Sequence, residues 1–383
     1  MNQILLNQIL QETKFAEHKL QTKDIIFKFY DTGFTKEFEK IQQCGNFLEF
    51  ALKENQITKE TKNKLAGANF CKNRFCPMCN WRRVRNITGQ LKDAFSVIQE
   101  KQKVATIFLT LTVKNCHIDD LKATISKMNK SFNEMTRTKA FKNSVLGYLK
   151  SIEILGDKTP EGEAHPHFHI LLVVKKSYFK SRDYLNKEQW IAMWRKALRV
   201  DYDPVVDIRR IKSKNESFSD IDSAIIETVK YSVKHTDLVS RTNDDFYYLY
   251  TQTKGMRFLS SGGILKEHLN LIKVDEDLIN LKKETEALWI EICRLIYTWQ
   301  NGNYQLKEIK PPARENDKPI PTVREDIVLL GGLKFSRNSP YTPIPPVWRT
   351  SFCFISSSLP PKCQSSPSVR TSFCLGGGCS CKL

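Results

Sequence analysis

The stretch "EGEAHPHFHILLVV", residues 161–174, decides how the chain is read. It sets His165, His167 and His169 at alternate positions before an unbroken apolar run, in a chain with 7 histidines among 383 residues. Successive side chains of a β-strand point to opposite faces, so residues two apart share a face. The three imidazoles then line one side, with Pro166 and Phe168 on the other. One histidine beside a strand is usually structural. Several on one strand face fit a metal, because neutral imidazole is the commonest protein ligand for metals.

Working outward, "VLGYLKSIEIL" (145–155) reads as a strand that enters the histidine strand through the hairpin-like loop "GDKTPEGEA". Glu153 alternates there with Ile152 and Ile154. A carboxylate between two apolar strand residues is costly unless paired, so it is expected to face the same cation as the histidines. Two histidines and a carboxylate with open positions suit Mg²⁺ or Mn²⁺, and mononuclear zinc is the competing reading.

"VATIFLTLTVKN" (104–115), rich in β-branched and aromatic residues, reads as a buried strand, and "PVVDIRRI" as a third partner. Helical spacing appears at Ile87, Leu91, Phe95 and Ile98, at Leu121, Ile125, Met128 and Phe132, in "NKEQWIAMWRKALRV", and in "DIDSAIIETVKYSVKH". The order β-α-β-β-α-β-α with a central hairpin predicts an α+β domain, an antiparallel or mixed sheet with helices on one side. A further amphipathic helix is expected over 275–300, with Leu278, Ile279, Leu281, Leu288, Ile290 and Ile292 among its apolar residues. "DDFYYLY" (244–250) alternates like a strand. The expected divisions are an N-terminal region 1–103, a catalytic domain 104–262, a helical extension 263–310 and a tail 311–383. That tail, Pro/Ser/Cys-rich with "RTSFC" at both 349–353 and 370–374, reads as disordered.

The formal charge of +18 points to nucleic acid or an anionic membrane surface; a lysine-rich coding bias is the plainer alternative. The polar start predicts no signal peptide, and no window approaches a membrane span. Cytoplasmic localisation is expected. Of 11 cysteines, Cys44, Cys71, Cys76 and Cys79 lie early and five crowd the final stretch. Cys76-Pro-Met-Cys79 lets two thiolates reach one ion from a tight turn, and Cys71 and Cys44 would complete a closed tetrahedral Zn²⁺ site within 44–79. Buried free thiols or a redox pair are the other readings. Arg74, Arg82 and Arg83 beside it are candidate phosphate contacts, as are Lys230 and Lys234. In "ETVKYSVK" (227–234), Glu227 and Tyr231 are four apart and share a helix face. A tyrosine hydroxyl can serve as a covalent nucleophile and a nearby carboxylate can take a proton.

Together "FLTLTVKN", "HPHFH" and "ETVKYSVK", in that order and preceded by "CKNRFCPMCNWRR", resemble the replication initiators (Rep proteins) of small rolling-circle plasmids from Gram-positive bacteria, in the HUH endonuclease superfamily. The likeness covers roughly residues 40–260. It implies an antiparallel central sheet with flanking helices, and an enzyme that nicks one strand at the plasmid origin and later rejoins it. Tyr231 would keep the 5′ phosphate. His167 and His169 would hold the divalent ion, with Glu153 or, as its rival, His165 as third ligand. Glu227 would activate water at termination. Implied partners are origin DNA, single-stranded or extruded at the nick, and the host helicase and DNA polymerase; a homodimer is left open. No Walker-type phosphate loop is present, so the chain is not expected to be its own helicase. The rivals are a relaxase or transposase of the same superfamily, and a non-catalytic zinc-containing DNA-binding repressor.

Overall fold

The computed structural model describes residues 14–156, 158–210, 225, 228, 229, 234–271, 277–279 and 288–313. In chain order these form α1 (Phe15–Asp31), α2 (Thr35–Gln43), β1 (Phe47–Asn55), β2 (Thr61–Ala68), α3 (Pro77–Lys101), β3 (Val104–Thr112), β4 (Cys116–His117), α4 (Leu121–Arg137), α5 (Lys139–Ser144), β5 (Gly147–Glu153), β6 (Glu163–Ala164) and β7 (His167–Lys175). There follow α6 (Lys187–Leu198), β8 (Val206–Arg210), α7 (His235–Ser240), α8 (Asn243–Thr253), β9 (Leu259–Gly263), α9 (Ile264–His268), β10 (Trp289–Gln300) and β11 (Asn303–Lys310). The tail from 314 onward lies outside the described residues, as does most of the helix expected over 220–235; Ile225, Thr228 and Val229 within it are helical.

The histidine strand β7 is the middle of a five-stranded antiparallel sheet of order β8-β3-β7-β5-β9. Its alternation sends Phe168, Ile170, Leu172 and Val174 to one face, packed in the same core as Met128 and Phe132 of α4 and Trp190 and Trp194 of α6. Leu171 and Val173, with Leu149 of β5, go to the other face, against Ile87, Leu91, Phe95 and Ile98 of α3 and against Ile225 and Val229. Burying each large apolar side chain contributes about 1.5–3 kcal/mol. Helices therefore cover both faces of the sheet, and the expectation of helices on one side is corrected. The apolar run after His169 is continuous because both faces of β7 are buried there.

A second sheet has the order β11-β10-β1-β2 and joins an early strand to a late one: Phe50 of β1 pairs with Leu295 of β10, and Leu48 with Tyr297. The helix expected over 275–300, and with it a helical extension 263–310, is thus corrected to a hairpin over 289–310. Three features favour strand. Leu295, Tyr297 and Trp299 alternate onto the face that carries Phe50. Trp, Ile and Tyr are good strand formers. The turn at Asn301 (φ 51°) and Gly302 (φ 82°) is an Asn-Gly pair, in which both central residues take positive φ as a two-residue hairpin requires.

"DDFYYLY" is also corrected, from strand to helix. Thr242 accepts the Asp245 N–H as N-cap of α8, and two aspartates occupy the first turn. Phe246, Leu249, Tyr250 and Thr253 are its buried face, at helical rather than alternate spacing. Phe29 of α1 meets Phe246 and Tyr250 edge-on at 5.0 and 4.9 Å. Among the described residues no helix is long and apolar enough to cross a membrane.

Candidate functional site

In the β5–β7 ladder Glu153 stands opposite His167, and Ser151 opposite His169. The pleat puts all four on the sheet face that continues into Leu149, Leu171 and Val173. Glu153 Oε2 lies 2.6 Å from His169 Nε2 and 3.2 Å from His167 Nε2. The site opens at the sheet's end: the three side chains keep 9, 21 and 17% exposure for His167, His169 and Glu153.

The far nitrogens are tied as well. The His165 carbonyl accepts from His167 Nδ1 at 2.8 Å, and Thr110 Oγ1 on β3 lies 3.3 Å from His169 Nδ1. An Nδ1–H spent on a carbonyl leaves Nε2 as the lone-pair nitrogen of a neutral imidazole. Each Nε2 nevertheless faces an oxygen that can only accept, so a proton or a cation must sit between them. Burial alone would raise the Glu153 carboxyl, but hydrogen bonds and charge from His167 and His169 outweigh it and bring it down to about 2. Adjacent corners of an octahedron with metal–oxygen distances near 2.1 Å stand about 3 Å apart. Glu153 Oε2 is within a few tenths of an ångström of that spacing from each Nε2, and the three ligand atoms all lie within 4.8 Å of one another, close enough to converge on one ion.

His165 is not part of this group. It precedes β7, and its Nδ1 lies 2.7 Å from Asn115 Oδ1, while Asn115 Nδ2 donates to Glu163 at 2.8 Å. Trp194 Nε1 donates to the Thr112 carbonyl at 2.8 Å, fixing the end of β3 beside His167. Thr110, Asn115 and Trp194 were not singled out by sequence, since a supporting hydrogen bond has no local spacing.

The four early cysteines meet where α2, β2 and α3 converge. Cys44 ends α2, Cys71 follows β2, and Cys76 and Cys79 lie at the start of α3 with Pro77 at its first position. The sulfurs of Cys44 and Cys79 are 3.5 Å apart, those of Cys71 and Cys79 3.6 Å, and those of Cys76 and Cys44 3.7 Å. A disulfide would need about 2.05 Å. A tetrahedron with Zn–S near 2.3 Å has edges of about 3.8 Å. The set fits one tetrahedral ion, and the Cys71 N–H donates to Cys44 Sγ at 3.4 Å, as an outer-shell donor would.

The sequence profile of the Rep_1 family, described as "Replication protein", matches residues 62–306. The chain belongs to this family of replication proteins. A "Protein rep" of Streptococcus pneumoniae is 36% identical over 306 residues, covering 78% of this chain and 88% of that protein. A "Protein rep" of Bacillus amyloliquefaciens is 35% identical over 295 residues, 71% of this chain and 85% of the relative. A "Replication protein" of Staphylococcus aureus is 35% identical over 223 residues, 55% of this chain and 94% of the other. No solved structure matches.

Of this replication protein's other expected site residues, Tyr231, Glu227 and Lys230 lie outside the described residues, and Lys234 is exposed just before α7. Arg82 and Arg83 are corrected. At 3 and 5% exposure they are enclosed, unlike surface phosphate contacts. Arg82 donates to the Leu278 and Ile279 carbonyls at 2.7 and 3.0 Å, and Arg83 to those of Lys72 and Asn73. Arg82 joins α3 to distant backbone, and Arg83 joins it to the loop just before it. Arg74 is half-buried, its guanidinium 5.2 Å from the centre of the Phe258 ring.

Proposed function

We propose that this replication initiator is a site-specific single-strand DNA endonuclease and strand transferase, which opens and closes rolling-circle replication of a plasmid through a tyrosine ester. The supporting observation is the convergence of Glu153, His167 and His169 at one open end of the sheet. Val229, two residues before Tyr231, packs on that same sheet face.

A bound Mg²⁺ or Mn²⁺, held by His167 Nε2, His169 Nε2 and Glu153 Oε2, would draw charge from the non-bridging oxygens of the scissile phosphate. The Tyr231 oxygen attacks phosphorus, the P–O3′ bond breaks, and the 3′ oxygen takes a proton as it leaves. The 5′ phosphate stays on Tyr231. The free 3′-OH primes the host polymerase behind the host helicase. Because one phosphoester replaces another, the strand can be rejoined without a nucleotide cofactor. At termination Glu227, four residues before Tyr231, takes the proton of a water that attacks the regenerated nick site; the P–O3′ bond there breaks, and the 3′-OH released attacks the tyrosine ester, rejoining the strand and freeing Tyr231. The Cys44, Cys71, Cys76 and Cys79 set holds Zn²⁺ in a closed, structural site.

The test is transfer of label from single-stranded origin DNA to protein on a denaturing gel, with Mn²⁺ or with EDTA. Metal-dependent label on the wild-type chain, lost in Tyr231→Phe, is the expected result. DNA that is bound but neither cut nor attached defeats the reading in favour of a non-catalytic repressor.

A further inference from the structure

Glu153 ends β5 and His167 begins β7, so the loop 154–166 closes the hairpin between them. The loop has turns of its own, in which the Thr159 N–H donates to the Gly156 carbonyl at 3.1 Å and the Glu163 N–H to the Pro160 carbonyl at 3.3 Å. It is held in addition from 81 to 83 residues further along the chain. Arg241 donates through Nη1 to the Pro160 carbonyl at 2.6 Å and through Nη2 to the Thr159 carbonyl at 2.7 Å. Asp245 accepts the Gly162 N–H at 3.1 and 3.2 Å, on its two oxygens. Arg241, in the link between α7 and α8, stands 3.5 Å from Asp245 in the first turn of α8, with side chains only 10 and 7% exposed.

Both ends of this arrangement lead to the site. On the loop side, Gly162 (φ 73°) gives its carbonyl to the Ile118 N–H at 3.0 Å, and Ala164 pairs with Cys116. The backbone then reaches His165, whose N–H donates to the Ile154 carbonyl at 3.0 Å, one residue beyond Glu153. On the other side, Arg241 directly follows α7, and Lys28 of α1 donates to the Arg241 carbonyl. Upstream of α7, Val229 is packed on the site-bearing sheet face. Val229 and Arg241, which precede and follow Tyr231 in the chain, are thus each held in the fold.

We infer that Arg241 and Asp245 are positioning residues: a buried clamp that holds the 154–166 loop, keeps Glu153 converged on His167 and His169, and ties that hairpin to the segment carrying Tyr231. The second half rests on the proposed role of Tyr231; the first does not. A buried guanidinium committed to two loop carbonyls gives bidentate rigidity that a lysine cannot reproduce.

The test uses the full chain as wild type, Arg241→Ala, Arg241→Lys and Asp245→Asn. The measurements are Mn²⁺ affinity from free-Mn²⁺ EPR, thermal midpoint, and label transfer from single-stranded DNA at saturating Mn²⁺. Arg241→Ala is expected to weaken Mn²⁺ binding about tenfold or more, in the range of outer-shell losses, and to lower label transfer even when Mn²⁺ saturates. Arg241→Lys should fall between it and wild type. Asp245→Asn keeps an amide oxygen for the Gly162 N–H but removes the buried counter-charge of Arg241, so it should weaken Mn²⁺ binding, though less than Arg241→Ala. A lower thermal midpoint with Mn²⁺ affinity unchanged marks a mere structural staple and overturns the inference. Should Arg241→Ala fail to fold, wild-type Mn²⁺ affinity in Arg241→Lys overturns it equally. A wild-type chain that binds Mn²⁺ but never attaches DNA defeats the nicking reading alone, and one that takes no Mn²⁺ defeats both.

Discussion

Replacing Cys76 by serine tests whether the thiol cluster is a metal site or a group of free thiols. Cys44, Cys76 and Cys79 are fully enclosed, and their S···S distances of 3.5 and 3.7 Å fall just inside the 3.8 Å edge of a zinc–thiolate tetrahedron. Without an ion, burial pushes the Cys44 and Cys71 thiols well up, whereas at Cys76 burial is outweighed by hydrogen bonds from the neighbouring thiols, which bring it well down, so Cys44 and Cys71 join it as thiolates only around a cation. Lys19, 4% exposed and donating to the Cys44 carbonyl at 2.7 Å, adds one positive charge beside a zinc–tetrathiolate of net charge −2. Structural zinc sites bind with about 10–16 kcal/mol, so one ligand of four accounts for about 2.5–4 kcal/mol. That is a roughly hundredfold to thousandfold gain in zinc dissociation. It is also a large part of the 5–15 kcal/mol that holds a typical domain folded. The assay is zinc per chain by mass spectrometry after dialysis against graded chelators, paired with thermal melting. Wild type should keep one zinc, and Cys76→Ser should lose it to a much weaker chelator and melt lower. Native wild-type protein that holds no metal while its four thiols react freely refutes the reasoning.

Glu153→Gln keeps the shape of the side chain but removes its charge, and should weaken Mn²⁺ binding roughly a hundredfold, since ligand charge sets such affinities. Unchanged affinity in a Mn²⁺ titration would place the ion elsewhere. Lys150 offers a pH test on the opposite sheet face, where burial pulls its ammonium from 10.5 down to about 8. Between those values the unfolded chain keeps a proton that the folded chain gives up, so stability should rise with pH across that window and lose that gain as pH falls below it. The full shift corresponds to about 3 kcal/mol, an upper bound because the ammonium lies 4.1 Å from the Phe168 ring centre and 4.9 Å from that of Phe132. Lys150→Met should flatten the slope in urea titrations at pH 7 and 9.5; an equally steep slope in the variant would assign it to another group.

The readable parts of this chain are those in which the deciding contact is local. His167 and His169 are two apart, and Ile87, Leu91, Phe95 and Ile98 mark one stripe of α3. Glu153 could be paired with the histidines because a single hairpin separates them. The errors fall where a distant partner or a turn decides. Trp289–Gln300 is a strand because β1, more than 200 residues earlier, offers it Leu48 and Phe50, although the Asn301-Gly302 turn was a local sign of a hairpin. The alternation in "DDFYYLY" yields to the Thr242 cap and to the aromatic packing of Phe29 against Phe246 and Tyr250. Arg82 and Arg83 look like surface charge in sequence. Only the fold shows that carbonyls from distant or adjoining loops occupy them.

The alignment of the candidate ligands follows from how β7 is buried. Its side-chain period is two, so a slip of one residue against β5 would turn every side chain to the other face. Such a slip would drive His167 and His169 into the core beside Trp190 and Trp194, and bring Phe168 and Ile170 onto the site face. Phe168 and Ile170 would leave a fully packed core for a polar, partly open face, while two imidazoles would lose their polar partners inside an apolar core. The correct register is therefore favoured by several kcal/mol before any ion is bound. It is that register which sets Glu153 opposite His167 and Ser151 opposite His169. The apolar residues interleaved with the histidines thus place the polar ones, and a conservative change in the core, such as Phe168→Leu, would leave the ligand set aligned, whereas a one-residue insertion in β7 would dismantle it.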